Sequence, residues 1–163
     1  MRTKIWLIVN LSFIGFCANG LAQPSLADVK APILAAKELY FKNSDRHIDT
    51  VTDYNGYPEF WSIDNLDSHT HSFRIMWYQQ EHLYTEIYLL DEGNLIYALE
   101  EIKDMPFNHR LQSRWRCEYF IQDDLVIDYT SLGMGKTEDD TWDPESVLVQ
   151  FRKRQAELEK IRK

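Results

Sequence analysis

Residue types that could do chemistry are concentrated in three places. The stretch DSHTH sets His69 and His71 two apart, with Asp67 nearby. On a strand that spacing sends both imidazoles to one face, where His82 or His109 could complete a zinc site. Such a pair recurs by chance and an exposed loop is the simpler reading, so no metal or other cofactor is assigned. Cys117 is the second place. Nucleophilic use would need a base such as His82 or His109 to converge on it, but Trp115 and Tyr119 share its strand parity, which favours a buried, inert thiol. Carboxylates are the third: Glu86, Glu100, Glu101, Glu118 and Asp128 fall on neighbouring strands. Acid and base roles would need two of them facing across a cleft. With Glu86 and Glu118 placed on one outward face beside Arg114 and Arg116, cross-strand ion pairing explains them more simply. Serine elbows, phosphate loops and dinucleotide fingerprints are absent from the sequence. LGMGK at 132–136 runs into acidic residues instead of a helix start and reads as a flexible loop.

The elements that must position these residues follow from periodicity. VKAPILAAKELYF (29–41) predicts a helix with Pro32 near its start and an apolar stripe of Ile33, Ala36, Leu39 and Tyr40. The pattern then changes to period two. Asn55 and Gly56 predict a tight hairpin turn, and Pro58 predicts that the next strand starts there or lies at an edge. DNLDSH (64–69) is a loop, and SFRIMWYQQ (72–80) resumes the strand pattern. In HLYTEIYLL, Leu83, Thr85, Ile87 and Leu89 alternate with His82, Tyr84, Glu86 and Tyr88. DEGN and QDD each turn the chain into a returning strand, and Ile87, Trp115 and Ile127 are expected on the shielded side. PESVLVQFRKRQAELEKIRK closes the chain as a helix with Pro144 in its first turn and Asp143 as cap. The fold expected is α+β: an antiparallel β-meander sheet of about six or seven strands, flanked by an N-terminal and a C-terminal helix that together bury one face.

The phrases EIYLLDEGNLIYALEE and RCEYFIQDDLVIDY, set between an N-terminal helix and a basic C-terminal helix, carry a resemblance. The chain resembles small exported bacterial proteins of unknown function with repeated hairpin phrases of the type "EYYFDNGKLIFV" and "RFYFDNGKLIRW". The likeness covers roughly residues 47 to 131 and rests on hairpin grammar. It implies a sheet built of successive hairpins and brings no catalytic residues. The chain departs from the pattern at QDD, a shortened turn that lacks glycine.

The ends bound the compartment. Arg2 and Lys4 precede an apolar stretch from Ile5 to Cys17, followed by Ala18, Gly20 and Ala22, the succession of a secretory signal peptide over residues 1–22. One domain over 23–163 would then remain, periplasmic or secreted. The alternative is a lipid anchor on Cys17, which Phe16 just before it disfavours. No segment reaches the roughly 20 apolar residues of a membrane-spanning helix. Cleavage would remove two of the 18 basic and none of the 26 acidic residues, leaving 16 against 26 and a net charge of −10. That balance argues against nucleic acid as a partner. The basic C-terminus, QFRKRQAELEKIRK, reads as a solvated helix face, with docking on an anionic surface as the sharper alternative.

Function is expected in the outward sheet face. Tyr84, Tyr88, Arg114, Arg116 and Phe120 would form an aromatic and arginine surface of the kind that concentrates binding energy. The expected role is a non-catalytic binding or structural module of the bacterial envelope that engages a protein or polymer. The competing expectation is an enzyme or small-ligand carrier whose curved sheet and N-terminal helix enclose a pocket containing His82, Glu86 or Glu118.

Overall fold

A computed structural model describes residues 24–43, 47–105 and 112–162. The expected signal segment, Cys17 and His109 lie outside the described residues. The described chain forms helix α1 (Leu26–Asn43), seven strands and helix α2 (Ser146–Ile161). The strands are β1 (Thr50–Tyr54), β2 (Tyr57–Asn65), β3 (Thr70–Gln79), β4 (His82–Asp91), β5 (Asn94–Asp104), β6 (Gln112–Gln122) and β7 (Leu125–Gly133). They make one sheet in strict sequence order, and every neighbouring pair is antiparallel. This is the α+β meander expected from the sequence.

Turn chemistry fixes the hairpins. Asn55 and Gly56 adopt φ of 54° and 82°, and Glu92 and Gly93 adopt 48° and 84°. Asp123 and Asp124 take 51° and 59°, so the turn without glycine has the same left-handed pair of residues. Aspartate tolerates that region because its short side chain can bond locally. Pro58 sits at the second position of β2 and pairs with Asp53 of β1, consistent with a strand start.

The helix ends differ from expectation. α1 begins earlier than residue 29, because Ser25 and Asp28 close a reciprocal cap: the Asp28 N–H donates to Ser25 Oγ at 3.2 Å, and the Ser25 N–H donates to Asp28 Oδ2 at 3.0 Å. Pro32 therefore lies inside the helix, not near its start. In α2 the cap position belongs to Glu145, so Pro144 precedes the helix and is not in its first turn, and Asp143 Oδ1, two residues before the cap, accepts the Glu145 N–H at 3.0 Å. The LGMGK segment is tied down. Trp115 Nε1 donates to Ser131 Oγ and Thr137 Oγ1, both at 3.1 Å, and a Cβ on Gly135 would stand only 2.3 Å from Trp115 Cγ.

The larger correction concerns the faces. One apolar cluster joins Trp61, Phe73, Tyr88, Trp115 and Tyr119 to Val147, Phe151 and Leu158 of α2. A second joins Ile87, Leu89, Tyr97, Leu99 and Phe120 to Ile33 and Tyr40 of α1. Adjacent residues of a strand point to opposite faces, so Ile87 and Tyr88 place the two helices on opposite sides of the sheet. Both faces are shielded, and Ile87 and Trp115 belong to different cores. Three register shifts help to explain the misreading, between Leu89/Leu90, Ile102/Lys103 and Phe120/Ile121. Each bulge adds a residue and inverts the alternation beyond it. In β7 the extra residue is Ile127: Val126 packs on the α2 core, whereas Ile127 packs on the α1 core and Asp128, next to it, also faces α1 through Lys30.

Candidate functional site

The five residues expected to form one binding surface are not brought together. Tyr88 is buried beneath α2, its ring 5.5 Å from that of Phe151. Phe120 is buried beneath α1, with Lys30 Nζ 3.9 Å above its ring. Arg116 also serves α1: its guanidinium lies 6.0 Å from the Phe41 ring and pairs with Glu118 at 2.6 Å. Tyr84 is half-buried and stacks on Trp77 at 5.1 Å. Arg114 is exposed at the Ile102/Lys103 bulge, 3.7 Å from Asp104. The common outward face therefore does not exist, because the helices occupy both sides.

Buried charge is concentrated under α2. Arg154, read from the sequence as part of a solvated basic face, is 2 % exposed. Its Nε meets Glu86 Oε2 at 2.8 Å, its Nη2 meets Glu59 Oε1 at 2.8 Å, and its Nη1 meets Glu157 Oε2 at 2.9 Å. The Glu59 contact is ionic, off the line of a good hydrogen bond. Around the guanidinium stand the rings of Tyr54, Trp61 and Trp77, at 5.4, 6.0 and 5.5 Å, a geometry favourable for cation–π attraction. Burial pushes the Glu86 carboxyl up from its ordinary range, and Arg154 opposes that shift without cancelling it. Burial works to lower the Arg154 pKa, but Glu86, Glu157 and Glu59 outweigh it and raise the value.

Glu86 and Glu100 are cross-strand partners, so the paired carboxylates considered for acid–base chemistry do lie side by side. Each is already engaged: Glu100 accepts from Tyr119 Oη at 2.8 Å and from Lys136 Nζ at 2.5 Å. Cys117, opposite Glu100, is fully buried, and burial pushes its thiol up to about 11. It is a packed thiol and not an activated nucleophile. Glu118 lies on the other face, where Lys37 and Arg116 hold it. The expected grouping of Glu86 with Glu118 and Arg116 is therefore split between the two sides.

The histidines are dispersed. His69 is exposed near Glu92 at 3.7 Å, and His71 Nδ1 lies 2.8 Å from Asn65 Oδ1. His82 Nδ1 stands 2.8 Å from Asp104, at the opposite end of the sheet. Among the described residues no group of three or more His, Cys, Asp or Glu is arranged to hold a metal.

The α1 side is built differently. Lys30 pairs with Asp128 at 2.5 Å and Lys37 pairs with Glu118, anchoring α1 to β7 and β6. Between α1 and the hairpin ends lies a cavity of about 810 Å³. Its apolar wall includes Ile33, Ala36 and Leu39 of α1 and Ile96 of β5. Its rim carries Asp67, Asp91, Glu92, Asp123 and Asp124. These acids come from the β2–β3, β4–β5 and β6–β7 turns, which a meander gathers at one end of the sheet. Asp67 is held by its local turn: the His69 and Thr70 N–H groups donate to its carboxylate at 2.8 and 2.7 Å and keep its pKa low. Among the described residues, Asp91, Asp123 and Asp124 enter no ion pair. Neither His82, Glu86 nor Glu118 lines this cavity. Sequence reasoning missed it, although a signal was present: alternate turns, DNLDSH, DEGN and QDD, are all acidic.

Among the described residues no helix is long and apolar enough to cross a membrane. No protein-family model, curated protein or solved structure matches the chain.

Proposed function

We propose that the protein is an exported, non-catalytic binding module of the bacterial envelope, and that it engages a protein or polymer through the groove between α1 and the acidic hairpin ends. Export is supported by the basic, apolar and small-residue succession of residues 1–22. The non-catalytic reading is supported by the state of the reactive groups: Glu86, Glu100 and Cys117 are buried and, for the two acids, already paired. The observation that carries the binding role is the cavity itself, whose volume of about 810 Å³ and apolar wall are those of a recognition site. The same volume also suits a small-ligand carrier, which is the second reading.

Filling the groove tests the proposal. Ala36→Trp should leave the fold intact, because Ala36 is only half-buried on α1, yet it should block the cavity. In a thermal-shift screen against peptides, glycans and wall fragments, any compound that raises the melting temperature of the parent should fail to do so with Ala36→Trp. A ligand that stabilises both proteins equally, and loses its effect on Tyr84→Ala or Arg114→Ala instead, would overturn the groove assignment.

A further inference from the structure

The rim of the groove is periodic, and its period narrows the partner. Strands lie about 4.8 Å apart, so hairpin ends on the same side of a meander recur about every 10 Å. Three such ends, with Asp67, Asp91 and Glu92, and then Asp123 and Asp124, spread negative charge over about 20 Å. One small cation cannot meet charges so far apart. On an α-helix, residues seven apart on the same face are separated by about 10.5 Å, which matches the spacing of the hairpin ends. Apolar residues between them would fall on the cavity wall of Ile33, Ala36, Leu39 and Ile96. Charge complementarity has the right sign, since the rim's Asp91, Asp123 and Asp124 have no cationic partner among the described residues.

We infer that the groove receives an amphipathic basic helix of a partner protein, with Lys or Arg repeated every seven residues along one edge of its apolar face. The inference rests on the groove reading above and names the chemistry of its occupant. Recognition is of the helix-in-groove type. Apolar side chains enter beneath α1 while the cations lie over successive turns. The acidic rim accelerates encounter and discriminates against acidic helices.

The test uses the full chain as secreted and three probes: a helical peptide of Leu and Lys with lysines seven apart, the same peptide with Glu for Lys, and spermine. Binding of the labelled peptides is read by fluorescence anisotropy at low and high salt. Two variants accompany the parent. One is Ala36→Trp; the other combines Asp91→Asn, Glu92→Gln, Asp123→Asn and Asp124→Asn, and the asparagines keep the left-handed turns. The expected result is selective binding of the Lys peptide, weakened at least tenfold in each variant and by added salt, with spermine a poor competitor. Glu-peptide binding that is equally strong and sensitive only to Ala36→Trp would refute the basic helix while leaving the groove standing. Displacement by spermine at matched charge would refute the helix in favour of a small polycation. Lys-peptide binding indifferent to Ala36→Trp would overturn both readings, showing only general attraction to an acidic protein.

Discussion

Two buried arginines show how differently the faces are finished. Arg154, under α2, has Glu59, Glu86 and Glu157 within ion-pair distance. Arg74 is 8 % exposed on the α1 side of β3, opposite Ile87. It donates to Ser62 Oγ at 2.9 Å, its Nε has no partner, and among the described residues it enters no ion pair. A buried charge is costly unless compensated, so the arginine buried under α2 is compensated and the one buried on the α1 side is not. The same contrast recurs at the hairpin ends, where Asp91, Asp123 and Asp124 lie beside the α1 cavity without an ion pair among the described residues. The lesson is that charge buried under α2 is paired, whereas on the α1 side Arg74 and the acids of the hairpin ends keep unmet charge on which recognition can act.

The sharpest way to break this comparison is to delete each cation. Arg154→Met should lose about 3–5 kcal/mol of unfolding free energy, because two buried carboxylates lose their counter-charge. Arg74→Met removes only a hydrogen bond to a hydroxyl and should change stability by about 1 kcal/mol or less. Urea denaturation measures both, and equal losses would erase the distinction.

Next in size is Gly135→Ala. The added methyl meets the Trp115 ring, so overpacking should cost about 1–3 kcal/mol and alter tryptophan fluorescence. A neutral result would show that the wall of the α2 core yields easily.

Acid should separate the two sides with a smaller effect. For Glu118, burial works to raise the pKa, but hydrogen bonding from Lys37 and the charge of Arg116 bring it below its ordinary 4.5. Hydrogen bonding from Lys30 likewise depresses Asp128 below 3.8. Depressed folded values contribute stability that is present above the unfolded value and lost as pH falls through the folded one. Glu86 is shifted the other way; its contribution is complete below 4.5 and lost as pH rises through its folded value. Hydrogen-exchange protection in α1 should therefore fall before that in α2 as pH drops below 4.5. Simultaneous loss would mean that the helices respond as one unit.

Much of the architecture was legible because turns and alternation are local signals. Asn55–Gly56 and Glu92–Gly93 announce hairpins, and Asp123–Asp124 completes the set once aspartate's tolerance of positive φ is allowed. The side on which each strand residue falls was less legible, since a single extra residue, Ile96 in β5, Arg114 in β6 or Ile127 in β7, reverses it without any change of composition. Buried Glu59, Glu86 and Glu100 look like surface residues by type alone. Their burial depends on Arg154 and Lys136, which reach them from distant chain segments. The cavity depends on the proximity of three turns that are separated in sequence, so only the alternation of acidic and other turns hinted at it.

The unbroken strand order also governs how the molecule assembles. Each hairpin closes over a short loop, whereas the Arg154–Glu86 contact spans 68 residues and the Lys37–Glu118 contact spans 81. Short-range closures are kinetically favoured, so the ribbon can zip up while both broad surfaces are still wet. Buried Glu59 and Glu86 must then wait for α2 to bring Arg154 to them, which makes the docking of that helix a late commitment step and leaves the bare sheet a vulnerable species until it is taken.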